Sequence, residues 1–171
     1  GIGTVLADDP QLNVRGIATS RQPLRVVLDS QLRMPPTAKI LAGGNTLIYT
    51  ATQNAEKISA LEKLGVSVCV LANEQGRVDL NAMLKDLAQR GINEVLVEAG
   101  SILNGALLQA GLVDELLLYI APQLLGDLAR GIGGLGELAR LDERVELQWQ
   151  DVRQVGNDLR VQAKVKRIEN V

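Results

Sequence analysis

The sequence predicts an α/β domain of three layers with a mixed sheet, mostly parallel, that ends in a C-terminal antiparallel hairpin. Three observations carry this. Apolar β-branched runs alternate with amphipathic helical runs through most of the chain. Glycines close the helical runs, as Gly65 and Gly91 do. The last runs alternate apolar and polar residues on either side of V-G-N-D, which is hairpin chemistry at Gly156, Asn157 and Asp158.

In order, "PLRVVLDS" reads as a buried strand over Leu24–Leu28, with Asp29 and Ser30 at its carboxyl edge. "RMPPTAKIL" is a proline-rich turn, and "NTLIYTA" the next strand, Asn45–Ala51. "NAEKISALEKLG" places Ile58, Leu61 and Leu64 at helical spacing. "VSVCVL" is a strand. "RVDLNAMLKDLAQRG" is a helix with Asp79 as N-cap and Leu80, Met83, Leu84 and Leu87 as its apolar face. "INEVLVEAG" reads as a strand, "SILNGALLQAG" as a helix opened by Ser101, and "VDELLLYIAP" as a strand buried on both faces. The stretch Gly126–Gly136 is glycine-rich and reads as a loop over the site rather than a domain boundary.

The 171 residues suit one domain. Hydrophobic residues are 46% but aromatics only 2%, with no Phe, so the core must be built from Leu, Val, Ile and Ala. A net charge of −2 with no basic block argues against a nucleic-acid partner. No run is long enough for a membrane span and no signal-peptide pattern opens the chain, so the expected compartment is the cytoplasm. One Cys and no His exclude an internal disulfide, a Cys/His zinc site and any His-based nucleophilic device. No metal site is expected. Cys69, in an alternating strand, reads as a small buried apolar residue. Chemistry falls to carboxylates, Lys, Arg, hydroxyls, backbone amides or a bound cofactor.

Ligands of open α/β sheets bind beyond the carboxyl ends of the strands. Polar residues there are Asp29 and Ser30, Thr50 and Thr52, and Glu98, Gly100 and Ser101. "VEAGSILNGALL" is either an ordinary strand-to-helix turn or a phosphate cradle, with Gly100 letting the backbone approach. Glu98, ending an apolar strand, either points to solvent or serves a ligand. Ser30 and Arg33 in "DSQLR" form either a solvated turn or a grip on a phosphate monoester such as the 2′-phosphate of NADP. Asp8 and Asp9 cannot share one face of a strand, so a paired acid/base device is not expected. Arg15 suits a phosphate, as any exposed Arg would.

The segments "GIGTVLADDPQLNVR", "RQPLRVVLDSQLRMP", "VLVEAGSILNGALLQAGLVDELLLYIAPQLLG" and "VRQVGNDLRVQAKV" together resemble the reductase domain of the bacterial bifunctional riboflavin-biosynthesis deaminase/reductase. The likeness runs from Gly1 to about Val165 and implies a dihydrofolate-reductase-like fold. It implies NADPH-dependent reduction of 5-amino-6-(5-phosphoribosylamino)uracil to the ribitylamino product, with hydride delivered to C1 of an opened, imine-like ribose. It implies cofactor contacts from Thr4, Asp8 and Ser30 and from Gly100, Ser101, Ile102, Leu103, Asn104, Gly105 and Ala106. Leu12, Arg15 and Glu98 would face the substrate, Arg15 at its phosphate and Glu98 as the catalytic carboxylate. Arg33 at the 2′-phosphate is an addition from charge and position. The family also implies a homodimer or larger assembly.

The family pattern includes an earlier strand, loop and helix with a lysine and an S-L-D-G-type motif, and a zinc deaminase half. The expectation is therefore a reductase domain over residues 1–171 that lacks both. Three other readings stand beside it. One is the archaeal or fungal reductase acting on the 2,5-diaminopyrimidinone. Another is a different dihydrofolate-reductase-like NADPH enzyme. The last is an inactive fragment that binds nucleotide or supports self-association through "LLLYIAP" and the terminal hairpin.

Overall fold

The computed structural model describes residues 1–166. The chain divides into two compact units, residues 1–100 and 101–171.

The first unit is built on a parallel three-stranded sheet in the order β1-β2-β3, from β1 (Arg25–Leu28), β2 (Thr46–Thr50) and β3 (Ser67–Val70). Strand β2 is central and buried at every residue. Its alternation splits the core. Ile48 faces one side with Val27, Leu61 and Val66, packed with Ile2 and Val5 of helix α1 (Ile2–Asp8). Leu47 and Tyr49 face the other, against Met83 and Leu87 of α3 (Leu80–Gln89). The sheet is thus sandwiched between helices, as a parallel sheet requires. Helix α2 (Ala55–Glu62) contributes Leu61 to the first of these cores.

Local chemistry fixes the helix ends. Asn54 Oδ1 accepts the Lys57 N–H at 3.0 Å to cap α2, and Asp79 Oδ1 accepts the Ala82 N–H at 2.9 Å to cap α3, as the sequence suggests. Gly65 and Gly91, at φ of 79° and 78°, adopt the left-handed backbone that closes each helix.

Two readings of the sequence change in this unit. The opening segment is a helix rather than a turn. Ile2 and Val5 lie three apart on its buried side, and Asp9 ends it in the left-handed region at φ 43° before Pro10. The run Ile92–Glu98 joins neither sheet and carries no regular secondary structure. Val95, Leu96 and Val97 are exposed, Leu96 by 78%. An apolar run is a strand only where a neighbour completes its ladder, and none of the six strands pairs with it.

The second unit holds α4 (Ser101–Gln109) and an antiparallel sheet ordered β4-β6-β5, from β4 (Glu115–Ile120), β5 (Leu147–Val155) and β6 (Asp158–Val165). The expected hairpin is present: Val155 pairs with Asp158 across the two-residue turn Gly156-Asn157, with Gly156 at φ 60°. A register shift lies between Trp149 and Asp151. Strand β4 is not buried on both faces. Among the described residues it pairs with β6 alone, and Leu117, Tyr119 and Ile120 stand 45–59% exposed. The glycine-rich segment lies on α4. The Gly134 N–H donates to the Ser101 carbonyl at 2.8 Å, and Asn104 Nδ2 donates to the Ile132 carbonyl at 2.9 Å. The contact needs glycine: a Cβ on Gly105 would stand 2.3 Å from the Gly134 carbonyl oxygen.

Candidate functional site

The carboxyl ends of β1 and β2 open on a polar recess of about 350 Å³ lined by Ser30, Gln31, Ala51, Thr52, Asn54, Lys57 and Gly76. This is the position at which parallel sheets bind ligands. Next to Ser30 in the chain, Asp29 is fully buried just past β1. Asp29 Oδ2 accepts the Arg33 and Met34 N–H groups at 2.6 and 2.8 Å. Those bonds hold the Ser30–Arg33 turn with Leu32 buried and in the left-handed region at φ 49°. Asp29 Oδ1 is buried without a hydrogen-bond partner among the described residues.

Each hydroxyl on the recess already accepts a backbone N–H. Ser30 Oγ takes that of Val78 at 3.2 Å, and Thr52 Oγ1 takes that of Asn54 at 3.3 Å. Both hydroxyl hydrogens therefore remain to be donated. Lys57 Nζ donates to the Gln31 carbonyl at 3.1 Å, which holds the ammonium at the mouth with donors to spare. Among the described residues no carboxylate lines the recess. The arrangement suits an anion.

Other sequence-derived residues of this unit lie elsewhere on it. Thr4 and Asp8 are on α1, Thr4 half-buried and Asp8 exposed. Thr4 meets the turn before α4: a Cβ on Gly100 would stand 4.0 Å from Thr4 Oγ1. Asp8 and Asp9 go separate ways, as the sequence suggests. Asp9 Oδ1 accepts the Lys39 N–H at 2.8 Å and its Oδ2 pairs with Lys39 Nζ at 3.3 Å. The Lys39 N–H and ammonium hold this carboxyl below its ordinary value. Leu12 and Arg15 are on the irregular segment after α1. Leu12 is left-handed at φ 45°, and exposed Arg15 donates to Asn13 Oδ1 at 3.1 Å. Strain of that kind at a non-glycine residue is a marker of functional sites. Glu98 is exposed. Arg33 is exposed and is not among the residues that line the recess; its N–H serves Asp29.

In the second unit, Ser101, Ile102, Leu103, Asn104, Gly105 and Ala106 form the first turns of α4. Gly105 is buried under the glycine-rich segment, whereas Ile102 is 79% exposed.

Sequence reasoning placed Ser30 at the recess and noted Thr52, but passed over Asn54, Lys57 and Gly76. The available signal was the capping pattern at Asn54 directly after a strand end, which puts a helix start, and Lys57 within it, beside the ligand position. Cys69 is half-buried and free, and burial pushes its thiol up, against a nucleophilic role.

Comparison with known proteins gives the class first. The fold is that of the riboflavin-biosynthesis reductases. A structure of Acinetobacter baumannii RibD superposes with a TM-score of 0.84 at 35% identity, covering 97% of this chain and 46% of that one. A Saccharomyces cerevisiae riboflavin biosynthesis reductase, at 18% identity and TM-score 0.69, shares the dihydrofolate-reductase-like fold. The RibD C-terminal domain model matches residues 1–161, and the chain belongs to that family. The Escherichia coli (strain K12) riboflavin biosynthesis protein RibD is 38% identical over 168 residues, covering 91% of this chain and 45% of that protein. The 2,5-diamino-6-ribosylamino-4(3H)-pyrimidinone 5′-phosphate reductase of Methanothermobacter thermautotrophicus is 36% identical, covering 97% of this chain and 78% of that protein. The chain spans about half the length of the RibD proteins it matches. Among the described residues no helix is long and apolar enough to cross a membrane.

Proposed function

We propose that residues 1–171 are the reductase domain of a riboflavin-biosynthesis enzyme and reduce the ribosyl group of 5-amino-6-(5-phosphoribosylamino)uracil with NADPH. The observation that carries this is the family match over residues 1–161. The recess supports a phosphate-bearing cofactor, because its lining offers hydroxyl and ammonium donors and no carboxylate.

When bound, the nicotinamide supplies the hydride. The chain's own residues bind and orient. Thr4, Asp8 and Ser30 contact the cofactor. The start of α4, Ser101 to Ala106, offers backbone amides and the positive end of its dipole to phosphate oxygens. Gly100 lets that backbone come close, having no Cβ. Arg15 grips the substrate phosphate as a guanidinium fork, and Leu12 lies against the pyrimidine. Glu98, an exposed carboxylate, accepts hydrogen bonds from the sugar and handles its proton. A cytoplasmic homo-oligomer fits this reading, and exposed Tyr119, Trp149 and Val152 offer apolar surface for self-association.

A second reading, reduction of the 2,5-diaminopyrimidinone before deamination, is favoured by the archaeal relative, of which the chain covers 78%. Supplying each pyrimidine in turn with NADPH separates them. Turnover with the uracil supports the first reading, and turnover with the diaminopyrimidinone alone replaces it. NADPH binding without turnover on either points to a nucleotide-binding fragment.

A further inference from the structure

We propose that Gln22 is a positioning residue for Arg15: its side-chain amide clamps the loop that carries Arg15 and so sets the grip on the substrate phosphate. The inference rests on the reductase reading, in which Arg15 meets that phosphate, and adds to it what holds Arg15 in place.

Between α1 and β1 the chain has no regular secondary structure over residues 9–24. Among the described residues no backbone–backbone hydrogen bond joins two positions within 10–24. A loop of that kind takes its shape from side chains that bond the backbone. Gln22 is such a side chain. Gln22 Oε1 accepts the Val14 N–H at 2.9 Å, and Gln22 Nε2 donates to the Val14 carbonyl at 3.3 Å. One amide thus takes both backbone groups of one residue, as a paired strand would. The Val14 carbonyl lies in the peptide plane that leads into Arg15, so the clamp fixes the plane from which the Arg15 side chain departs. Gly16, at φ 77°, then turns the chain directly after Arg15.

Both ends of the clamp are tied down. Asn45 Nδ2 donates to the Pro23 carbonyl at 3.0 Å, next to Gln22, and the Asn45 carbonyl accepts the Arg25 N–H at 3.1 Å where β1 begins. Gln22 is thereby referred to the sheet. At the other end Asn13 Oδ1 accepts a hydrogen bond from Arg15 Nη1 at 3.1 Å. That bond turns the guanidinium fork while using one of its five N–H groups, and neutral Asn13 leaves the charge for a phosphate. Gln22 and Arg15 are both exposed, so neither fills the core.

The test is calorimetric titration of 5-amino-6-(5-phosphoribosylamino)uracil and of its dephosphorylated counterpart into protein containing residues 1–171, with NADP+ present so that nothing turns over. The native protein is expected to bind the phosphorylated pyrimidine about tenfold or more tightly, the range of a charge-assisted contact. Gln22→Ala and Gln22→Met, the second of which keeps the length of the side chain without its amide, each cut that preference about threefold to tenfold. Affinity for the dephosphorylated pyrimidine stays within about twofold of native in both variants. In Arg15→Ala, which loses the preference, adding Gln22→Ala takes nothing further. A merely structural glutamine would weaken both pyrimidines together, or add its loss to that of Arg15→Ala; either result overturns the proposal and leaves the reductase reading standing. So does a preference that is absent from the native protein or unchanged in both Gln22 variants. If the native protein binds neither pyrimidine, the reductase reading falls and takes the inference with it.

Discussion

Asp29 Oδ2 lies 2.8 Å from the Met34 amide nitrogen, across a turn whose Leu32 is buried in the left-handed region. The same oxygen takes the Arg33 N–H, so one buried carboxylate shapes the turn that presents Ser30. Asp29→Ala leaves two N–H groups without their acceptor. The expected loss is roughly 2–4 kcal/mol in chemical denaturation. Asp29→Asn keeps one carbonyl oxygen for both donors and should lose less. Equal losses in the two variants would show that the paired N–H bonds are not what matters.

Tyr49 and Asp86 give stability a two-sided pH dependence. Tyr49 Oη donates to Asp86 Oδ2 at 2.6 Å, and Arg90 Nε reaches the same oxygen at 2.6 Å. Burial first, and then Asp86, pushes the phenol well above its ordinary value near 10. The folded state thus holds that proton more tightly than the unfolded one. Its contribution is complete below about pH 10 and is lost as pH rises through the folded value. Arg90 first, then Tyr49, holds the Asp86 carboxyl below its ordinary value. That contribution is present above about pH 4 and is lost as pH falls through the folded value. Denaturation midpoints measured across pH should fall at both ends. Tyr49→Phe should flatten the alkaline limb and Asp86→Asn the acid limb.

Gly105→Ala forces a methyl to within 2.3 Å of the Gly134 carbonyl oxygen. Backbone cannot yield as a side-chain tip does, so the glycine-rich segment must lift from α4. The expected cost is about 1–3 kcal/mol, with faster proteolysis between residues 131 and 136. Unchanged cleavage would mean that the segment does not rest on this contact.

The substrate-side role proposed for Glu98 predicts that chemistry and cofactor binding come apart. Glu98→Gln keeps shape and removes charge. Turnover is expected to fall about a hundredfold or more, with NADPH affinity within about twofold. Equal damage to both would contradict a substrate-side role.

Much of this was legible from local chemistry. The Asp79 cap, the Gly65 and Gly91 stops and the Gly156-Asn157 turn each depend on a few adjacent residues, and each stands where the sequence puts it. What depends on distant partners was not. Val95-Leu96-Val97 has the composition of a strand, yet strand status needs a ladder neighbour that no local pattern reveals. β4 reads as doubly buried because Leu116, Leu117 and Leu118 are all apolar, but burial depends on what packs over each face. The opening helix was hidden by two glycines and an Asp-Asp-Pro ending that suggest a turn, although Ile2 and Val5 already had helical spacing. At the candidate site, Ser30 was visible as a polar residue ending an apolar strand. Lys57 was not, since only the β1-β2 pairing and the Asn54 cap bring it to Ser30.

The central claim is reduction of a phosphoribosylaminopyrimidine at the expense of a reduced nicotinamide. The most direct test follows the loss of reduced-nicotinamide absorbance in protein containing residues 1–171, with and without 5-amino-6-(5-phosphoribosylamino)uracil. Loss that depends on the pyrimidine, with the ribitylamino product formed in equal amount, is the expected result. Saturating NADPH and substrate with no pyrimidine-dependent loss would contradict it.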